Sequence, residues 1–292
     1  MLTMAVPLLT PPRYHPFDSG RYEVKAGLHR FGKDFGNGGH DAHVFQRDRH
    51  FDRYLEIKRH CLARDRGRYY ATHDFDDGVR QVACDFIESR LRLDRPDLDD
   101  AQLSASPTGD RFADLALLVQ EDLCVVRLDG DRDWLAAAHV CFPNFWGASH
   151  KVGKTFAAVH EPVAHVEPIT SVAAQHVRGM VNAVGGMVRF AWGVTFDDRL
   201  DHHPDDEPRE PPQPHFADAH VRVERQTIWG LPTAHAALFT IRTYLYRVAD
   251  LPRESRERLA CAIESMSPQS RVYKGLSTLG DPLVRWLRAD NE

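Results

Sequence analysis

His160 ends the run Thr155-Phe-Ala-Ala-Val-His160, just ahead of Pro162, so a short helix delivers an imidazole and the proline stops that helix. Phe156, Val159 and Val163 give the ring apolar backing. Upstream, Trp146 offers an aromatic plate, and Lys151 and Lys154 place two cations around a glycine-containing turn. Neutral imidazole is a good axial ligand for haem iron, and lysines meet carboxylates as point charges. An aromatic surface, paired cations and a histidine on apolar backing suit a flat, anionic, metal-bearing cofactor such as haem. A core histidine beside two solvated lysines is the plainer reading, and the pattern alone leaves both open.

Two further groups could do chemistry. In Arg222-Val-Glu224-Arg225-Gln226-Thr227, strand alternation sets Arg222, Glu224 and Gln226 on one face and Arg225 on the other, with Val221, Val223 and Thr227. Polar side chains in a row inside a sheet either pair with one another or line a polar cavity. They read either as a structural ladder or as a wall that orients a small substrate and moves protons. The sequence does not say which face looks into a pocket, so Arg225 stands as a candidate cofactor contact beside the candidate catalytic Arg222, Glu224 and Gln226. In Arg189-Phe-Ala-Trp192, the arginine could serve a cofactor carboxylate and the tryptophan could stack in the pocket; a surface ion pair and a core aromatic are the alternative.

Periodicity supplies the elements that must hold these residues. Residues 1–40, rich in proline, glycine and aromatics, read as an irregular surface arm, and residues 41–292 as a single domain. Helical spacing predicts helices over 41–63 and 76–93. Near Leu115 the period shortens towards two. Strands are expected at 118–128 and 134–142, joined through Asp129-Gly130-Asp131, then at 187–196, 221–228 and 237–246. A helix over 171–184 interrupts them, and helices over 253–266 and 281–289 follow, with Asp281 as N-cap. The fold class is therefore α+β: a mostly antiparallel sheet of about five strands with inserted and flanking helices, its core at about 115–248. The acidic, proline-rich stretch 197–220 reads as a solvated mobile loop rather than a metal site at His202-His203.

With 42% hydrophobic residues, 27% charged residues and a formal net charge of −5, the chain has an ordinary globular composition and no basic nucleic-acid footprint. Five scattered cysteines without a C-x-x-C point to reduced thiols in a cytoplasmic protein. The apolar patch at 5–9 is broken by Pro7 and does not read as a signal peptide; no run reaches membrane-spanning length. No nucleotide fingerprint is visible.

Several of these segments form an ordered series: Gln120-Glu-Asp-Leu-Cys124, Trp134 through Cys141-Phe-Pro143 and Trp146, Lys151-x-Gly-Lys154, Val159-His160-x-Pro162-Val163, Arg222-x-Glu-Arg-Gln-Thr227, Leu231-Pro232, Phe239-Thr-Ile-Arg-Thr243, Ser265-Met-x-Pro268 and Tyr273-Lys-Gly275. From about residue 40 to the end, this series resembles the α subunit of the haem-dependent oxidative N-demethylases. The resemblance implies a PAS-like domain carrying haem b, with His160 as the iron ligand. It further implies oxidation of a secondary amine with molecular oxygen, on electrons from a separate NADPH-linked flavin and iron–sulfur reductase. Two departures stand out: Ala191 where the family pattern has asparagine (Arg-x-Asn-Trp), and Ala164 where it has proline. The missing amide bears on the substrate more than on the haem. A haem-binding sensor without catalysis, or a non-catalytic scaffold homologue, are the alternatives.

Overall fold

The computed structural model describes residues 10–289 other than 207 and 212. Seven strands form one open sheet: β1 His29–Arg30, β2 Tyr70–Thr72, β3 Asp122–Asp129, β4 Arg132–His139, β5 Met187–Thr195, β6 His220–Leu231 and β7 Ala236–Arg247. Their order across the sheet is β1-β5-β6-β7-β3-β4-β2, and every neighbouring pair is antiparallel. The five long strands are those expected, but the sheet is extended at both edges by β1 and β2. These have two and three residues, too short to carry a period. The β6–β7 hairpin runs further than its pattern showed: Trp229 and Gly230 remain in the ladder, and the chain turns at Pro232–Ala234 with His235 left-handed.

Eleven helices accompany the sheet among the described residues: α1 Phe51–Tyr69, α2 Asp77–Asp94, α3 Asp100–Ser104, α4 Arg111–Ala116, α5 Ala148–Lys151, α6 Phe156–His160, α7 Glu167–Thr170, α8 Ala173–Val181, α9 Arg253–Glu264, α10 Pro268–Lys274 and α11 Gly280–Arg288. The helix expected from residue 41 begins only at Phe51. Side chains claim the backbone before it: Asp94 accepts from the Val44 and Phe45 amides, Glu121 from Gln46 and Gln120 from Asp48. With those N–H groups committed to remote partners, a helical ladder cannot form there. At the C-terminus Asp281 lies in the first turn of α11, whose N-cap is Leu279.

The two sheet faces have different neighbours. Against one, α2 and α4 pack Val79, Ile87, Leu91 and Phe112 on Leu123, Val125, Trp229 and Leu238. Further along that face, α9 and α11 set Leu259, Ile263 and Leu283 against Trp192, Val221, Val223 and Tyr244. The N-terminal stretch, expected as a surface arm, is built into this core over its described residues: Tyr14 and Phe17 are buried there. The opposite face is covered by the short helices α5, α6 and α8, which leave a large space beneath them.

Candidate functional site

In-register pairing decides which side chains share that space. Arg189 stands opposite Gln226, Ala191 opposite Glu224, and Gln226 and Glu224 in turn face Ile241 and Thr243 across β7. Directly opposed residues in an antiparallel pair project to the same side. The face carrying Arg222, Glu224 and Gln226 is thus the one under α5–α8, and it floors a cavity of about 1340 Å³. Trp146, Lys151, Lys154 and His160 line the same cavity from the helical side. Pockets for small ligands usually measure about 300–1,000 Å³, so a large cofactor leaves room for a substrate.

His160 is held in one orientation and one tautomer. α6 is capped by Thr155, whose hydroxyl accepts from the Ala158 amide at 3.2 Å, and is anchored where the Phe156 amide donates to Asp133 at 2.5 Å. The His160 Nδ1 lies 2.7 Å from the Phe156 carbonyl. A carbonyl can only accept, so Nδ1 carries the proton and Nε2 keeps its lone pair. Burial, the largest effect, pushes the imidazole below its ordinary pKa, and Arg189 and Lys151 push the same way. The ring is therefore neutral at pH 7, the form that ligates metal.

The two lysines differ. Lys151 donates to the Val159 carbonyl at 2.6 Å, which braces α6, whereas Lys154 is exposed at the cavity edge. On the sheet, Gln226 donates to Glu224 at 3.0 Å, and the Arg222 guanidinium lies 3.7 Å from the other Glu224 oxygen. Arg222 also donates to the Leu200 and Phe142 carbonyls, so it both fixes the wall and holds its carboxylate.

Two expected contacts turn out differently. Arg225 projects from the other face, is buried, and donates to the Asp41 and His43 carbonyls; it ties the N-terminal stretch to β6 and does not line the cavity. Trp192 pairs with Val223, so its ring joins the opposite core against Phe17 and Tyr22 and only borders the cavity.

Three further side chains of the cavity carry no local signal in the sequence that places them there. Arg209, Tyr273 and Lys274 close the cavity beside Glu224. Arg209 comes from the stretch expected to be a solvated loop. That stretch instead buries His202 and His203, with His202 2.9 Å from Asp197 and stacked on Phe145. Gly275 is left-handed, and a Cβ there would collide with the Arg209 side chain, so this glycine makes the seat for the arginine. Lys274 donates to the Trp192 carbonyl at 2.6 Å, and burial pushes its pKa down to about 8. Tyr273-Lys-Gly275 was visible as a motif; what it faced was not.

Asp122, His139 and Cys141 form a second donor set, buried and with ligand atoms within 4.8 Å of one another. The Asp122 oxygens accept from the Cys141 and Phe142 amides at 2.9 Å each, and the Lys58 ammonium supplies the nearby positive charge. This carboxylate is engaged in capping β4, and a neighbouring cation disfavours a second one.

The cavity fits haem: a neutral imidazole with a free Nε2, apolar surface from Phe156, Val159 and Phe239, and cations around the rim. Residues 38–284 match the family model described as haem-dependent oxidative N-demethylase, alpha subunit-like. The matched span includes the helical and sheet linings of the cavity and all but the edge strand β1 of the sheet; the lining from Arg13 to Phe35 lies before it. The chain belongs to the haem-dependent oxidative N-demethylase, alpha subunit-like family.

Proposed function

We propose that this protein is a haem b oxidoreductase that oxidises a small amine, by N-demethylation or a related oxidation, with His160 as the residue that would hold the iron. The observation that carries the reading is the Nδ1 bond from His160 to the Phe156 carbonyl, which leaves Nε2 free at the edge of a 1340 Å³ cavity. Bound haem supplies an iron at which molecular oxygen is activated. The chain's own residues do the rest. Lys151 and Lys154 stand near His160 in the chain and offer charge to the propionates. Glu224, held by Gln226 and Arg222, receives the ammonium of the amine and takes up its proton. The sheet then acts as a PAS-like haem scaffold, in a monooxygenase whose electrons arrive from a separate NADPH-linked flavin and iron–sulfur reductase. Cys61, Cys84, Cys124 and Cys141 are buried free thiols, which fits a reducing cytoplasm. No helix among the described residues is long and apolar enough to cross a membrane.

The test is the absorption spectrum of purified protein, oxidised and reduced. A Soret band that is lost or displaced in a folded His160→Ala variant supports the ligand; an unchanged band removes it. Glu224→Gln, which keeps the side chain's size but not its charge, is expected to lower amine turnover by about 10²–10⁴-fold, measured with a chemical reductant. Full turnover by that variant ends the proton role.

A further inference from the structure

The charges around Glu224 do not balance. Arg189, Arg209, Arg222 and Lys274 all line the cavity, and Glu224 is the carboxylate common to all four, raising the pKa of each; Asp122 also acts on Arg222. Arg222 is consumed by Glu224 and by two backbone carbonyls. Among the described residues, Arg189, Arg209 and Lys274 donate to backbone carbonyls, at Lys25, Asn144 and Trp192, and the aromatic rings beside Arg209 and Lys274 carry no net charge. The Arg189 Nε is buried without a partner. Carbonyl dipoles satisfy N–H groups but do not neutralise charge, and half-buried cations gathered in one pocket favour an anion. Lys151 and Lys154 are at hand for the cofactor's carboxylates; Arg189 bears on both His160 and Glu224, and Arg209 and Lys274 gather with it at Glu224.

A simple alkylammonium would add one more positive charge to that set. We propose that the amine taken at this site is a zwitterion, a small secondary amine bearing a carboxylate, with its ammonium at Glu224 and its carboxylate at Arg189, Arg209 and Lys274. Ala191 supports the assignment. It stands directly opposite Glu224 on the cavity face, and its side chain is a single methyl, which takes up little of the space beside the carboxylate. The inference rests on the amine-oxidation reading and names the substrate class for that same site.

The test uses the holoprotein as purified and three probes of similar size: N-methylglycine, dimethylammonium and acetate, titrated by calorimetry at pH 7. N-methylglycine is expected to bind about tenfold or more tighter than either of the others. Lys274→Met is expected to remove most of that preference while leaving dimethylammonium binding equal or stronger. This charge-specific pattern is one that a general loss of structure would not produce. Dimethylammonium binding as tightly as N-methylglycine overturns the proposal, as does acetate doing so. The Soret band, recorded on the same sample, separates the two readings. A haem-loaded protein that prefers dimethylammonium loses the zwitterion and keeps the cofactor. A haem-free protein that prefers N-methylglycine loses the cofactor and keeps the ligand class.

Discussion

Lys274 shows how much of the site's behaviour is decided by a single titration. Burial lowers it to about 8, Glu224 on β6 opposes that shift, and Arg209 and Arg189 add to it; the rings of Tyr22 and Tyr273 lie 5.6 and 5.3 Å from its ammonium. Its charge is present at pH 7 and mostly gone at pH 9, so the affinity for acetate or N-methylglycine is expected to fall across that interval. Flat affinity from pH 7 to 9 would place the anion elsewhere. The stability effect has the opposite sign. Between about pH 8 and the ordinary 10.5 the unfolded chain holds a proton that the folded chain has released, so this group's contribution to stability grows as pH rises through that window. Asp48 and Arg242 make a different case, an ion pair at 2.7 Å with both side chains 1% exposed. Asp48→Ala leaves a guanidinium buried without its anion and is expected to cost about 3–5 kcal/mol in urea unfolding. His160 and the Arg222–Glu224–Gln226 face were legible in the sequence because a proline-stopped helix and strand alternation are local signals. Arg209 and Lys274 were not, since they meet only through a loop crossing and a glycine seat.

Among the elements, the long strands could be read from alternation and the hairpin over Gly130 from its turn, which is left-handed at φ 59°. The start of α1 could not, because the competing acceptors Asp94, Gln120 and Glu121 lie far along the chain. The helix α10 went unread for another reason: seven residues opening on Ser267-Pro268 are too few to show a period, although the Ser267 cap is well formed, accepting from Ser270 at 3.0 Å. One contact between elements positions the lid of the cavity. Gly230 of β6 passes under the end of α8, donating to the Ala183 carbonyl at 3.0 Å, and a Cβ there would strike the Val181 carbonyl and the Ala183 amide. Backbone cannot give way as a side-chain tip can. Gly230→Ala is therefore expected to lift α8, cost on the order of 1–3 kcal/mol and weaken ligand binding together with thermal stability. A fully stable variant with normal binding would show that α8 is not fixed through this contact.

At the scale of the whole molecule, the α+β class and the antiparallel sheet followed from the grouping of strands between helices, but the role of the N-terminal stretch did not. It lacks a period, and its attachment is made by scattered long-range bonds. The Tyr14 hydroxyl donates to Asp41 at 2.7 Å, the Tyr246 hydroxyl donates to the Pro12 carbonyl at 2.9 Å, and the Tyr22 amide donates to Ser265 at 2.8 Å. Removing residues 1–20 takes two buried aromatics, Tyr14 and Phe17, out of the core. Loss of about 3 kcal/mol or more is expected in chemical denaturation. The same stretch, from Arg13 to His29, walls the cavity and lies before residue 38, where the family match begins. One side of the binding space is thus made of backbone with few ladder bonds, the kind that opens most readily to solvent. Ligand occupancy and closure of this wall are then linked equilibria, each favouring the other. Amide hydrogen exchange should reveal that linkage, slowing across residues 18–28 at saturating ligand while β6 and β7 exchange as before.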